Sequence, residues 1–160
     1  MSNPVLHEGK RAPAFTLPAT REDRIRLTEL RGRWVVVYFY PKDLTAGCTT
    51  EACDFRDQME SFDSLGVVVL GVSPDDLERH EVFSAQEGLN FPLLADRDSR
   101  VGLKYGAWRE KNDYGRKYMG IVRSTFVIDP SGKIARVFDN VRVRGHVAKV
   151  LAAVEEKMAE

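Results

Sequence analysis

The sequence predicts an α/β domain in three layers, with a central mixed β-sheet flanked by helices. Three observations predict it. Uncharged β-branched runs recur along the chain, and segments with apolar residues every three or four positions fall between them. The last run is followed by a turn signal and a further strand, which makes the sheet mixed rather than purely parallel.

In chain order, Ala14 to Leu17 and Ile25 to Leu27 predict two short strands, an N-terminal β-hairpin ahead of the main sheet. Trp34 to Tyr40 is β-branched and aromatic throughout and ends at Pro41, which predicts a strand buried on both faces. Cys48 to Phe62 carries Ala52, Phe55, Met59 and Phe62 on one helical face. Val67 to Val72 is the next buried strand. Ser73, Pro74, Asp75 and Asp76 supply the cap and first-turn acids of a helix bearing Leu77, Phe83 and Ala85. From Tyr105 to Gly120 the chain is polar and predicts a long loop, a type often tied to function. Ser124 to Asp129 is a third buried strand, Pro130 to Lys133 a turn, and Ile134 to Phe138 the hairpin partner. Val147, Val150, Leu151 and Val154 make a C-terminal amphipathic helix. A thioredoxin-like fold is the economical architecture for this order.

At 160 residues, 43% of them apolar, the chain predicts one domain over residues 1–160 with a core that needs no disulfide. Lys plus Arg and Asp plus Glu are equal at 24 each, so no global field draws in nucleic acid or anionic lipid. Trp34 to Tyr40, the longest uncharged apolar run, is far too short to cross a bilayer. Met1 to Arg11 is polar and lacks the apolar centre of a signal peptide, so a cytoplasmic protein is expected. Two cysteines in that compartment predict transient chemistry rather than a structural cross-link. His7, His80 and His146 make no zinc spacing with them, so neither a metal nor a cofactor is expected.

The chemistry concentrates between Phe39 and Phe55. A buried strand ends, a short loop follows, and a helix begins near Gly47, so Cys48 falls at or near its first turn. Unpaired backbone N–H groups and the helix dipole there favour a thiolate. An ordinary thiol with pKa ~8.5 is about 3% ionised at pH 7, so complete ionisation adds only about 30-fold. Positioning and stabilisation of the leaving atom must supply the rest of a catalytic acceleration. Thr45, three residues earlier, can present a hydroxyl beside the sulfur, and Arg123 is the best candidate for a fixed cation. Glu51 either orients a basic group such as Arg123 or stands solvated. Trp108, Tyr114, Tyr118 and Met119 either wall the site or anchor a loop. Cys53 follows Cys48 at i+5, which on one α-helix separates the Cα atoms by ~8.6 Å. A disulfide needs less than about 7 Å, so an intact helix cannot carry that bond.

Pro41, Thr45 and Cys48, in the pattern P-x-x-x-T-x-x-C, match the active-site motif of the peroxiredoxins. Tyr40 to Asp43, Gly47 to Phe55, Tyr114 to Ile121 and Arg123 to Asp129 resemble the bacterioferritin-comigratory-protein, or PrxQ, branch. The resemblance runs from about Pro13 into the C-terminal helix. It implies a thioredoxin-like fold and thiol-dependent reduction of hydrogen peroxide and organic hydroperoxides. It implies that Cys48 is the peroxidatic cysteine and Cys53 the resolving one, with Pro41, Thr45 and Arg123 completing the pocket. An intramolecular disulfide, recycling by a dithiol protein such as thioredoxin or glutaredoxin, and a monomeric state go with it. Ala46 stands where family members usually carry proline, which implies a looser start to the helix. Two other readings are weaker. A general thiol–disulfide oxidoreductase would be expected to carry Cys-x-x-Cys, and a chaperone-like interaction protein a large exposed apolar segment.

Overall fold

The computed structural model describes residues 6–160, so the reading of Met1 to Arg11 lies outside the described residues at positions 1–5. The chain lays down β1 (Thr16–Pro18), β2 (Arg24–Arg26), β3 (Val35–Phe39), α1 (Ala46–Ser64), β4 (Val68–Ser73), α2 (Leu77–Glu87) and β5 (Leu93–Ala95). There follow α3 (Arg100–Lys104), β6 (Trp108–Asp113), β7 (Arg116–Ile121), β8 (Ser124–Ile128), β9 (Ile134–Phe138) and α4 (His146–Met158).

Five strands form the central sheet in the order β5-β4-β3-β8-β9. β3, β4 and β5 run parallel, joined by crossovers through α1 and α2, while β8 is antiparallel to both β3 and β9. β1 and β2 pair as the expected N-terminal hairpin. The central strand β3 is buried at every position. Its alternate side chains enter two separate cores. Val35, Val37 and Phe39 meet Phe15, Leu27, Tyr105 and Phe126, while Val36, Tyr38 and Tyr40 meet Phe55, Phe62, Phe83 and Val150. Continuous apolar sequence is what such two-sided burial requires.

Gly71 on β4 lies opposite Tyr38 in the parallel register. A Cβ at Gly71 would stand 2.8 Å from the Tyr38 ring and 2.9 Å from Leu93. The bare backbone leaves the slot in which Tyr38 stacks on Phe55, with ring centroids 4.5 Å apart. That stack ties the middle of α1 to the sheet directly behind the site.

One expectation is corrected. The stretch from Tyr105 to Gly120 is not a long loop: β6 and β7 pair antiparallel as a hairpin over Trp108–Ile121. Its turn is Tyr114-Gly115, both residues with positive φ (53° and 82°), as a two-residue hairpin turn demands. Most of its side chains are exposed or half-buried, so the apolar alternation that announces a strand is missing. In α2, Asp76 caps the helix by accepting from the Arg79 N–H at 2.9 Å. Of Leu77, Phe83 and Ala85, all on the expected helix, Phe83 is buried, and the other buried position of that helix belongs to His80.

Candidate active site

β3 delivers the chain to Pro41 at one end of the sheet, and α1 takes it over with Thr45 as N-cap residue. Cys48 is the third residue of α1, within the turn whose N–H groups lack intrahelical partners. Its side chain is nearly enclosed, at 2% exposure. Arg123 arrives from the junction of β7 and β8, its carbonyl held by the Val141 N–H at 2.8 Å. Its Nη2 donates to Cys48 Sγ at 3.4 Å and its Nη1 to Glu51 Oε1 at 2.5 Å. The guanidinium thus bridges a thiol and a carboxylate separated by about one helical turn. Gly47 permits the approach, because a Cβ there would lie 3.2 Å from Arg123 Nη2.

Glu51 is fully buried, so of its two sequence readings the solvated one is set aside in favour of orienting Arg123. Burial pushes its carboxyl up to about 7, with Arg123 pulling in the opposite direction. Burial works against the Arg123 charge, but Glu51 and Cys48 outweigh it and hold the guanidinium above its ordinary value. His146, at the start of α4, has Nε2 at 2.8 Å from Thr125 Oγ1 and 3.9 Å from Glu51 Oε2. Burial and the nearby Arg123 and Lys149 depress its imidazole to about 4, so it stays neutral at ordinary pH. Lys111 of β6, missed by the sequence reading, donates to the Ile121 carbonyl at 2.8 Å. Burial and Arg123 lower its ammonium, while Cys48 and Asp113 act the other way.

Thr45 is exposed, and its hydroxyl does not cap α1 but donates to the Lys42 carbonyl at 2.8 Å. Pro41 is half-buried at the start of the loop. Tyr118 and Met119 are partly exposed and Tyr114 stands wholly in solvent at the hairpin tip, so Tyr114 neither walls a site nor anchors a loop. Cys53 lies further along the same unbroken helix, half-buried against α2, and both cysteines are free thiols. A surface recess lined by Arg21, Met59, Asp63 and Phe91 lies toward the opposite end of α1. The Cys48 sulfur itself is reached only past Arg123 and the exposed residues Leu44 to Gly47.

A second buried cluster holds the loop. Asp43 is fully buried, and its carboxylate accepts from Tyr40 Oη at 2.5 Å while facing His80 Nδ1 at 2.5 Å. His80 Nε2 lies 2.9 Å from the Leu94 carbonyl, which can only accept, so that nitrogen carries a proton. The Asp43 N–H donates to Asp75 Oδ2 at 2.8 Å, and Ser73 Oγ donates to the same oxygen at 2.6 Å. Asp43, Asp75 and His80 converge closely enough to suggest a cation site, but both ring nitrogens of His80 already have protein partners. The next residue, Leu44, is exposed and adopts φ 67°, a conformation unfavourable for a branched side chain. Asp43 is therefore welded to Tyr40, Asp75 and His80, while Leu44 to Gly47 beyond it are exposed.

A helix-borne thiol facing a paired guanidinium, on a thioredoxin-like scaffold, defines the class: a thiol-dependent peroxidase. The comparisons agree. Residues 9–137 match the AhpC/TSA family. Peroxiredoxin Bcp of Bacillus subtilis is 43% identical over 92% of this chain and 94% of its own, and Peroxiredoxin Bcp of Escherichia coli K12 is 44% identical over 94% and 97%. Among solved structures, the Xanthomonas campestris bacterioferritin comigratory protein, studied for alkyl peroxide reduction, superposes with a TM-score of 0.88. It is 38% identical, covering 93% of this chain and 98% of its own. A cysteine mutant of Xylella fastidiosa PrxQ superposes at 0.87 with 32% identity, covering 100% and 99%. The chain belongs to the AhpC/TSA family, among its Bcp/PrxQ peroxiredoxins.

Proposed function

We propose that Cys48 is the peroxidatic nucleophile, that Arg123 and Thr45 hold the peroxide beside it, and that Cys53 is the resolving thiol. The observation that carries this reading is the Arg123 Nη2–Cys48 Sγ contact of 3.4 Å at the head of α1. The guanidinium favours the thiolate and stands ready for a negative oxygen. Thr45 spends its proton on the Lys42 carbonyl, so its lone pairs remain to accept from the peroxide O–H. The thiolate attacks the terminal oxygen of HO–OR, the O–O bond breaks, and the departing RO⁻ is stabilised by Arg123 before it takes up a proton. Cys48 is left as a sulfenic acid. Pro41, at the rim, limits water access to the sulfur.

The disulfide step requires motion. Both cysteines sit on the continuous α1, where i+5 spacing keeps the Cα atoms at ~8.6 Å, beyond bonding range. The first turns of α1 must unwind before the sulfurs meet. A dithiol protein of the thioredoxin or glutaredoxin type then restores both thiols by exchange. One chain holds every group used, which favours a working monomer, and the cytoplasm supplies such reductants. Hydrogen peroxide and organic hydroperoxides share the terminal HO–O group that these residues would engage.

Stopped-flow mixing with peroxide, followed by mass spectrometry of the peptide holding both cysteines, tests the assignment. Cys48→Ser is expected to abolish peroxide consumption. Cys53→Ser is expected to complete one turnover and then stall with thioredoxin. Sustained thioredoxin-coupled turnover by Cys53→Ser would remove Cys53 from the resolving role.

A further inference from the structure

We infer that Glu87, at the end of α2, is a positioning residue that brakes disulfide formation by docking the Cys53 thiol on α2 in its protonated form. This rests on the reading of Cys53 as the resolving cysteine. Three contacts join that part of α1 to the end of α2 and the turn after it. Cys53 Sγ donates to Glu87 Oε1 at 3.4 Å, Arg56 Nη1 donates to the Glu87 carbonyl at 2.6 Å, and Asn90 Nδ2 donates to the Arg56 carbonyl at 3.3 Å. Residues Leu44 to Gly47, at the other end, are exposed. Unwinding therefore runs from Leu44 toward Cys53. Cys48 travels, and Cys53 waits on α2.

The attacking species is the thiolate, since S–H is a poor nucleophile. In the step, the Cys53 thiolate displaces hydroxide from the Cys48 sulfenic acid. The S–S bond forms as the S–O bond breaks, and the hydroxide leaves as water with the proton given up by Cys53. No further oxidant is needed. Everything that delays loss of that proton delays the bond. Burial raises the Cys53 thiol, the hydrogen bond to Glu87 and its charge raise it further, Asp57 adds to this, and the Arg56 guanidinium opposes. Those are the charged groups facing the sulfur, Arg56 and Asp57 from α1 and Glu87 from α2. Glu87 is itself steadied by Gln86 Nε2 at 3.3 Å from Oε2.

Glu87→Gln keeps the side-chain length and an acceptor but removes the charge. In a Cys48→Ser background, iodoacetamide labels Cys53 alone, and its pH–rate profile reads that thiol directly. Glu87→Gln is expected to move the profile to lower pH, with labelling at pH 7 about threefold faster. With both cysteines present, one equivalent of peroxide should give the disulfide faster, and excess peroxide should leave less Cys48 sulfinic acid. A labelling profile that stays in place or moves to higher pH overturns the brake. A profile that moves as expected, in a protein that forms no Cys48–Cys53 bond with peroxide, overturns the resolving assignment itself and the brake with it.

Discussion

The sulfur proposed as the nucleophile is met by one side chain delivered from far along the sequence. Arg123 spends two nitrogens at once, Nη1 on Glu51 and Nη2 on Cys48. Lysine at that position keeps the charge but has no planar fork to span both partners. Arg123→Lys is therefore expected to slow peroxide-dependent thiol loss by about a hundredfold, with the fold intact by circular dichroism. An unchanged rate would mean that charge alone suffices. The place of Cys48 at a helix head was legible because a strand end, a loop and a helix start follow one another in the sequence, whereas Arg123 was singled out as a charge preceding a strand and reaches Cys48 only because β8 pairs with β3. The Asp43–His80 pair was not legible. Asp43 reads as an ordinary loop acid and His80 as a polar helix residue, and only the parallel arrangement of β3 and β4 brings α2 over the loop. Lys111 escaped for a similar reason, since no apolar pattern marked its strand.

The decisive element is α1, whose ends differ in kind. Its middle and far end are locked by Phe55 and Phe62, both fully buried, whereas its first residues, Ala46 and Gly47, face solvent. Nothing in the side chain of Ala46 resists fraying. Proline would suit this place. The first helical N–H has no partner to lose, and Thr45 already has the extended backbone (φ −94°, ψ 156°) that a residue before proline adopts. Ala46→Pro is expected to stabilise the folded head of α1 by about 0.4–1 kcal/mol. The expected result is slower disulfide formation after a peroxide pulse and more sulfinic acid at Cys48, read by intact-protein mass spectrometry. Faster disulfide formation would show that helix opening does not limit the step. The interior of α1 and the whole of β3 were legible because two-sided and one-sided burial leave different apolar periods. The β6–β7 hairpin was hidden because pairing with itself in solvent imposes no such period.

For the whole molecule, two buried groups behind the site set opposite pH slopes on stability. Glu51 titrates near 7 when folded against an ordinary 4.5, so between those values the folded chain binds a proton that the unfolded chain has released. Its contribution is present at low pH and is lost as pH rises through about 7. His146 titrates near 4 when folded against an ordinary 6.5, so its contribution is present above about 6.5 and is lost as pH falls through 4. Over the shared window the two oppose each other and flatten the profile. His146→Gln removes one slope and keeps a partner for Thr125. Urea denaturation of that variant across pH 4.5 to 6.5 is expected to show stability falling as pH rises; a rise would sink the assignment. A last consequence comes from the weld at Asp43. With that residue fixed on one side and Phe55 on the other, the released backbone is a leash of about ten residues, whose ends meet within ~10–100 ns. In the proposed cycle search is then not the bottleneck, and the pace of bond formation is left to how firmly a few peptide units are coiled and how readily Cys53 sheds its proton.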